Sequence, residues 1–415
     1  MSSAPSPIDA SWKRVVVFFL GGQAISLFGS ALVQYALIWY ITMGTQSGAM
    51  VTIATLVGFV PMMLVTPFGG VWADRMNRRF VIASADSLVA LSTLALLVAF
   101  MAGYGSYTLV FVAMAIRALG GGVQGPAVGA LLPQIVPAQK LGQVNGYNTS
   151  IQAGVNLVAP MAAGGLYAFA TIEWILAIDL ITAVVGVGIL LLLVKVPAHE
   201  RALEVNKQSG FRDLKDGIAY IHQKELLRRL IFYFAITNFL VTPVALLTPL
   251  QVTRAFANDP MYLSMMEASF AVGMLAGGLI IGAWGGFKSR VMTIAISMMA
   301  TGILTIAIGI PITFWLYCTW MFLCGIVLPG VNTPAVTIIQ LSTDEQYMGR
   351  IFSVVNMIGI AAMPLAMVIF GPLSDRVPID AILVGTGLAI VLIGIVLLRD
   401  RRARALEPSA ADLLD

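Results

Sequence analysis

Residues 69–80, GGVWADRMNRRF, place four charged side chains within six residues, and a long apolar run lies on either side of them. The chain as a whole is only 11% charged and 59% hydrophobic, whereas soluble globular chains are about one quarter charged. Apolar runs recur along all 415 residues, and runs of about 20 residues are long enough to cross the hydrocarbon core of a bilayer as helices. The sequence therefore predicts an all-α polytopic membrane protein.

Twelve such segments are predicted, and the longest polar stretch between them, residues 197–228, divides them into two sets of six. Short motifs recur in both halves: GVQGPAV (122–128) returns as GVNTPAV (330–336), and GVWADRMNR (70–78) returns as GAWGGFKSR (282–290). Duplicated halves are typical of transporters that rock two bundles around a central site. The expected divisions are a cytoplasmic tail (1–14), a six-helix bundle (15–196), a cytoplasmic linker (197–228), a second six-helix bundle (229–398) and a cytoplasmic tail (399–415).

Basic residues are distributed very unevenly between the two sides of the predicted membrane. Of the 24 Lys and Arg residues, all but three lie on the side of the termini; the exceptions are Arg117, inside a segment, and Arg254 and Arg376, in opposite loops. Because basic loops stay in the cytoplasm, we expect a multi-pass protein of the cell (inner) membrane with both termini cytoplasmic. The net charge of +4 reflects this topology and does not indicate nucleic-acid binding.

The opening stretch then becomes the short loop between segments 2 and 3. It resembles the loop motif of the major facilitator superfamily, G-x-x-x-D-R-x-G-R-R, with Asn77 where the second Gly is usual. The resemblance implies a cytoplasmic gate, in which a small residue lets helices approach and an acid bonds a helix N-terminus or an Arg of the other half. The alternative is that the arginines only anchor the topology. The gate candidates are Gly70, Asp74, Arg75, Arg78 and Arg79.

Further stretches narrow the resemblance. RALGGGVQGPA, which begins at Arg117, and GVNLVAPMAAGG (154–165) are similar to motifs of proton-coupled drug exporters. In the second, the antiporter motif, Gly154, Pro160 and Gly164 match and Ala159 replaces a usual Gly. Four more stretches are informative: DRMNRRFVIASADSL, AIDLITAV, MEASFAVGMLAGGLIIGAWGGF and GPLSDRVPI. Through them the whole chain resembles the macrolide-efflux type of drug:proton antiporter. We expect a monomer.

Four ionisable residues lie inside the segments: Asp86, Arg117, Asp179 and Glu267. Each would cost ~3 kcal/mol facing lipid at the bilayer centre, so each should face the protein interior, a cavity or a partner. The three acids are candidates for proton coupling, and the resemblance also implies acids at these places. The alternative for each is a hydrogen bond that packs helices. Arg117 finds no acid in segment 1, so we expect it to polarise the site or helix contacts.

Polar side chains recur at helical spacing on segments 1 and 5, and others lie on segments 7 and 10. Such a stripe should face water or protein, and the resemblance implies that segments 1 and 5 line the cavity. The alternative is that these side chains join neighbouring helices. The chain also has 21 Met and 20 Phe, which weakly favour an adaptable apolar pocket. The candidate cavity residues are Gln23, Gln34, Asn148, Gln152, Asn156, Asn238 and Asn332.

Motifs of other classes are missing from the sequence. It contains no G-x-x-x-x-G-K-[ST], no H-E-x-x-H and no G-x-S-x-G, so neither ATP-driven transport nor an enzyme is indicated. The two His and two Cys have no metal-ligand spacing, so we expect no metal and no cofactor. We predict proton-coupled export of small amphipathic, drug-like compounds by alternating access in the lipid bilayer. The alternatives are a lysophospholipid or lipid flippase and a non-transporting sensor or scaffold.

Overall fold

The computed structural model describes residues 8–194, 209–256, 258–344 and 347–407, and every regular element in these ranges is a helix. The first half contains α1 (Ile8–Thr45), α2 (Gly48–Arg75), α3 (Arg78–Met101), α4 (Tyr107–Ile135), α5 (Leu141–Phe169) and α6 (Ile172–Leu193). The rest contains α7 (Ser209–Gln223), α8 (Glu225–Ala255), α9 (Pro260–Trp284), α10 (Arg290–Ile308), α11 (Phe314–Val327), α12 (Pro329–Leu341), α13 (Met348–Leu373), α14 (Ile379–Arg399) and α15 (Arg401–Ala405).

The membrane-crossing helices follow the predicted segments. Among the described residues, 11 spans are long and apolar enough to cross a membrane, and one of them joins α11 and α12. The break within that span falls at Pro329, where proline removes a backbone donor. The fifth predicted segment is α5, a 29-residue helix that lies outside this set of spans because it is more polar. The fold is thus an all-helical, multi-pass membrane fold.

Side-chain caps fix where several helices begin. The Asn77 side chain accepts a hydrogen bond from the Arg79 N–H at the start of α3. Ser106, Ser289 and Thr313 cap α4, α10 and α11 in the same way. Such caps satisfy backbone donors that the first turn leaves unpaired. The short loop between α2 and α3 therefore has a defined conformation.

The chain forms two compact units. Unit 1 comprises Met1–Gly44, Ile53–Val205 and Asp259–Ser264; unit 2 comprises Thr45–Thr52, Asn206–Asn258 and Met265–Asp415. The core of unit 1 includes Phe19, Ile82 and Leu131, and that of unit 2 includes Ala295 and Ile338. The first residues of α2 thus pack in unit 2, and the first residues of α9 pack in unit 1. The bundle limits expected from the sequence remain predictions.

Within unit 2, small residues allow two backbones to approach closely. A Cβ added at Gly273 or Gly277 of α9 would lie 2.1 Å from the carbonyl oxygen of Phe322 or Ile326 of α11. A Cβ at Gly325 would lie 2.3 Å from the Phe270 carbonyl oxygen. Glycines spaced in this way are typical of close helix crossings in membranes. The crossing fixes α9, which carries Glu267.

The end of the described chain is tied to unit 2. The Arg229 Nη1 of α8 donates to Asp400 at 2.8 Å. Ser289 Oγ, at the start of α10, donates to Glu407 at 2.6 Å. Residues 399–407 of the predicted tail therefore have defined contacts.

Candidate functional site

Three helices of unit 1 each carry two polar side chains seven residues apart. These pairs are Gln23 and Ser30 on α1, Asp86 and Thr93 on α3, and Gln124 and Arg117 on α4. Seven residues are about two helical turns, or ~10 Å along a helix. The six side chains form two layers, which we call the Asp86 layer (Gln23, Asp86, Gln124) and the Arg117 layer (Ser30, Thr93, Arg117 and, from α6, Asp179).

The Arg117 layer contains a buried ion pair, although Arg117 Nε is buried without a hydrogen-bond partner among the described residues. Arg117 Nη1 lies 2.6 Å from Asp179 Oδ2, and the Thr93 hydroxyl donates to the same oxygen at 2.9 Å. Ser30 Oγ donates to Asp179 Oδ1 at 3.3 Å, and Arg117 Nη2 donates to the Ser30 carbonyl at 2.9 Å. The Arg117 and Asp179 side chains are 5% and 0% exposed. A buried ion pair of this kind is stable only while both partners remain.

The sequence indicates Arg117 as a functional residue but does not indicate its partner. Segment 1 offers no acid to pair with it, and the partner is instead Asp179 of α6. The pairing places the Asp179 carboxylate against the Arg117 guanidinium in this conformation. Through this pair and its hydrogen bonds, Arg117 on α4 joins α1, α3 and α6.

The Asp86 layer is only partly satisfied. Gln124 Nε2 donates to Asp86 Oδ1 at 2.5 Å and lies 3.4 Å from Gln23 Oε1. Asp86 and Gln23 are buried, at 5% and 3% exposed. The second carboxyl oxygen, Asp86 Oδ2, is buried and has no hydrogen-bond partner among the residues that the structure describes. Asp86 therefore lacks the compensating cation that Asp179 has.

Glu267 lies on α9, in the part of that helix that belongs to unit 2. Its side chain is half-buried and makes no hydrogen bond or ion pair with any part of the chain that the structure describes. The close α9–α11 crossing lies about one to three turns further along the helix. Glu267 is therefore an intramembrane acid without a charge partner, as Asp86 is.

The polar stripe of α5 is open. Gln152 and Asn156 are exposed and Asn148 is half-buried, whereas Ala159 and Pro160 on the packed face are buried. Exposed polar side chains along a helix of membrane-spanning length should face water or a polar ligand rather than lipid. This helix therefore presents hydrogen-bonding groups on an exposed face of unit 1.

The remaining cavity candidates differ in their surroundings. Gln34 on α1 is half-buried, and Asn332 on α12 is exposed. Asn238 Nδ2 donates to the Phe234 carbonyl of its own helix at 2.9 Å. Among the cavity candidates, only Asn332 and the polar residues of α5 thus have largely exposed side chains.

Two arginines of the predicted gate are bonded inside unit 1. Arg78 donates to the carbonyls of Ala73, at 3.1 Å, and of Ala130 in α4, at 2.8 Å. Arg79 donates to the carbonyl of Leu191 near the end of α6. Cations at the C-terminal ends of helices are favourable. These side chains brace the loop against α4 and α6.

The close helix approach expected at Gly70 occurs at its neighbour. A Cβ added at Gly70 would meet nothing within 4 Å, whereas one at Gly69 would lie 2.9 Å from both the Gly122 carbonyl oxygen and Val123 Cα. Adjacent helical residues point about 100° apart, so only one of the two glycines can face α4. The Asp74 side chain lies outside what the structure describes.

The antiporter motif of α5 contains one tight position. Gly154 is exposed and open, and Pro160 is buried. A Cβ at Gly164 would lie 2.4 Å from Ser264 Cβ and 2.8 Å from Trp39. Of the two motif glycines, only Gly164 is therefore required by packing.

A second cluster, within unit 2, surrounds Asp375. Its carboxylate accepts hydrogen bonds from Ser47 Oγ at 2.8 Å, from the backbone N–H groups of Gly48 at 2.7 Å and Ala49 at 2.9 Å, and from Arg254 at 3.1 Å. Burial raises the pKa of the Asp375 carboxyl, but these hydrogen bonds outweigh burial and hold the pKa below its ordinary value. Asp375 thus caps α2. The cluster accounts for Arg254, one of the three exceptions in the charge distribution.

We expect Asp375→Asn to release the first turn of α2. Loss of a charged cap costs about 1–2 kcal/mol, so backbone amide exchange at Gly48 and Ala49 should speed up by about tenfold. Because the folded pKa is depressed, the parent's stabilisation is present at neutral pH and is lost only as pH falls through that folded pKa, below the ordinary carboxyl range. Hydrogen exchange measured by mass spectrometry checks this prediction.

Asp259→Asn is the matched control, since Asp259 accepts from the Met261 N–H at 2.8 Å at the start of α9. It should leave exchange at the start of α2 unchanged. Unchanged exchange at residues 48–49 in Asp375→Asn would show that the cap contributes nothing.

Comparison with known proteins gives a consistent family. The Major Facilitator Superfamily model matches residues 19–367. Macrolide efflux protein A of Streptococcus pyogenes is 30% identical over 389 residues, which cover 93% of this chain and 96% of that protein. Multidrug efflux pump Tap of Mycolicibacterium fortuitum is 23% identical over 395 residues, 91% of this chain and 94% of that protein.

Solved structures show the same fold at low identity. A D-xylose–proton symporter has a TM-score of 0.67 at 11% identity and covers 92% of this chain and 97% of its own. A bacterial homologue of the iron transporter ferroportin in an inward-facing state has a TM-score of 0.66 at 16% identity, with 93% and 99% covered.

Proposed function

Because the chain belongs to the major facilitator superfamily, and to the macrolide-efflux type within it, we propose that it exports amphipathic, drug-like compounds in exchange for protons by alternating access. One observation carries the proposal: the intramembrane acids are unequally paired. Asp179 is neutralised by Arg117, whereas Asp86 and Glu267 have no ion-pair partner in the described part of the chain.

Unpaired acids are suited to carrying protons. An ionised carboxylate that is shut away from water without a cation is strongly disfavoured, so it takes up a proton. When water reaches the same group, it ionises and the proton leaves. Asp86 and Glu267 alternate in this way, while Asp179 stays paired with Arg117. Each proton that enters down a membrane potential supplies ~2.3 kcal/mol per 100 mV.

The substrate contacts lie on the open polar stripe. Gln152, Asn156 and Asn148 of α5 offer amide donors and acceptors to the polar groups of an amphipathic guest, and Gln34 of α1 adds another amide. The name of the 30% identical relative favours macrolides, which are large and amphipathic, as members of the substrate class.

The cytoplasmic gate remains part of the proposal. Arg78 and Arg79 brace their own unit, so Asp74 and the exposed Arg75 are the gate residues left to make a contact that forms and breaks. Gly69, rather than Gly70, supplies the close approach that holds the loop against α4.

The proposal is tested by transport in vesicles that contain only the purified protein. With erythromycin as the probe, we expect accumulation against its gradient when a pH gradient is imposed, and only equilibration when that gradient is collapsed by an ionophore. Accumulation that ignores the pH gradient would reject proton coupling. Movement of labelled lysophospholipid but not of erythromycin would favour the lipid flippase alternative.

The orientation is also open to a direct test. A cysteine introduced at Gln208, in the predicted linker, is expected to resist a membrane-impermeant maleimide added outside intact cells, because the basic loops stay in the cytoplasm. A cysteine at the exposed Ala102, between α3 and α4, is the matched control and should react. The two native cysteines, Cys318 and Cys324, are buried. Rapid outside labelling at 208, with protection at 102, would invert the topology.

A further inference from the structure

One member of the Asp86 layer has no role so far: Gln124 on α4. Its amide nitrogen lies 2.5 Å from Asp86 Oδ1 and 3.4 Å from Gln23 Oε1. Both partners are buried, whereas Gln124 itself is only half-buried. Its amide oxygen accepts no hydrogen bond from any residue in the described ranges. Gln124 is therefore the member of the layer that a guest molecule can reach, and its free group is a hydrogen-bond acceptor.

The two layers offer a comparison between donors. In the Arg117 layer the Asp179 carboxylate faces a permanent cation, whereas in the Asp86 layer the Asp86 carboxyl faces the neutral amide of Gln124. Both donors lie on α4, two turns apart. Hydrogen bonds from charged donors are about twice as strong as neutral ones. The amide therefore holds the Asp86 carboxyl in place without fixing its charge.

The charged groups around Asp86 are few. Between residues 15 and 45, α1 carries none; α4 carries only Arg117, and α6 carries Glu173 and Asp179. On α3 itself, Arg78 and Arg79 lie about two turns away. Because Arg117 is committed to Asp179, the direct polar contact of Asp86 is Gln124.

A carboxamide can serve both protonation states of a carboxyl group. Its N–H donates to the ionised carboxylate, and after a flip of the amide its oxygen accepts from the protonated carboxyl. In this structure the amide nitrogen lies toward Asp86 and the amide oxygen lies toward the open side. A guest hydroxyl or ammonium that donates to this oxygen holds the amide in that orientation.

We propose that Gln124 is a positioning residue whose amide oxygen accepts a hydrogen bond either from protonated Asp86 or from a donor group of the substrate, but not from both. Binding of a hydroxyl- or ammonium-bearing guest then expels the Asp86 proton to water, and proton uptake expels the guest. This competition has the sign that antiport requires. The inference rests on the proposed function and deepens it, since it assigns the substrate a hydrogen-bond donor.

The test measures erythromycin affinity against pH, and the protons released on binding, with purified protein in weakly buffered detergent solution. In the parent protein, affinity should rise with pH and protons should be released. In Gln124→Leu, we expect about fivefold weaker erythromycin binding at high pH, which is the effect of losing one hydrogen bond. We also expect affinity to depend less on pH and fewer protons to be released on binding. Combining it with Asp86→Asn should reduce proton release no further than Asp86→Asn does alone.

Two more variants control for misfolding and for general effects. Gln124→Asn keeps the amide and should retain part of the proton release. Gln143→Leu removes an exposed glutamine outside both layers and should match the parent. If Gln124→Leu weakens binding equally at every pH with proton release intact, Gln124 is only a contact and the inference is overturned while the proposed function stands. If the parent protein releases no protons, the proposed function itself fails.

Discussion

Arg117→Met is expected to cause the largest loss of stability of any single change in unit 1. It leaves the Asp179 carboxylate, whose side chain is fully buried, without its cation, and breaking a buried pair in this way costs about 3–5 kcal/mol. Thermal unfolding of the purified protein, followed by the loss of monodisperse material after heating, measures the effect. The exposed Arg404→Met is the control and should leave the unfolding temperature unchanged.

A double variant separates charge from packing. Arg117→Met combined with Asp179→Leu removes both charges, and replacing a buried pair by apolar groups is often close to neutral. We therefore expect the double variant to recover most of the lost stability. If it is as unstable as Arg117→Met, or if Arg117→Met is as stable as the parent, the ion pair does not carry the stability assigned to it.

Glu267→Gln is expected to cause the largest loss of transport. The amide mimics the protonated acid in volume, and Glu267 makes no hydrogen bond with the described residues that the change would break. Losing one coupled proton at 100 mV removes ~2.3 kcal/mol of driving force, which limits the attainable concentration ratio by about 50-fold. Downhill equilibration of erythromycin should persist. Vesicle accumulation under an imposed pH gradient and membrane potential measures the difference.

Glu173→Gln is the control for Glu267→Gln. Glu173 lies in the first turn of α6, outside both polar layers, so concentrative export should remain at the parent level. Full concentrative export by Glu267→Gln would remove Glu267 from the coupling mechanism and leave Asp86 as the unpaired acid that carries protons.

The helices and the family could be predicted from the sequence because both depend on local patterns. Apolar length marks the membrane segments, and the loop at 69–80 carries its motif in consecutive residues. The tenth predicted segment, which is α11 and α12 in the structure, shows where such patterns stop being informative. Its two parts form one apolar run in the sequence, and only the backbone shows the break at Pro329.

The pairings could not be predicted because they depend on how helices are rotated and packed. Polar residues seven positions apart occur on α1, on α3 (Asp86 and Thr93) and on α4 (Arg117 and Gln124). Nothing in the sequence shows that these three pairs meet. Gln124 stands out in the sequence only as part of a repeated motif. Asp179 is the partner of Arg117 because α4 and α6 both pack against α3, which no local pattern encodes. Similarly, the choice between Gly69 and Gly70 depends on the rotation of α2.

The central claim, exchange of substrate for protons, is tested most directly by driving the reaction with substrate. Vesicles containing the parent protein and a trapped pH-sensitive dye are given an erythromycin gradient with no imposed pH gradient. The account predicts that protons move against the direction of erythromycin flux, and that the double variant Asp86→Asn with Glu267→Gln moves erythromycin without moving protons. Erythromycin flux through the parent with no change in internal pH would contradict it.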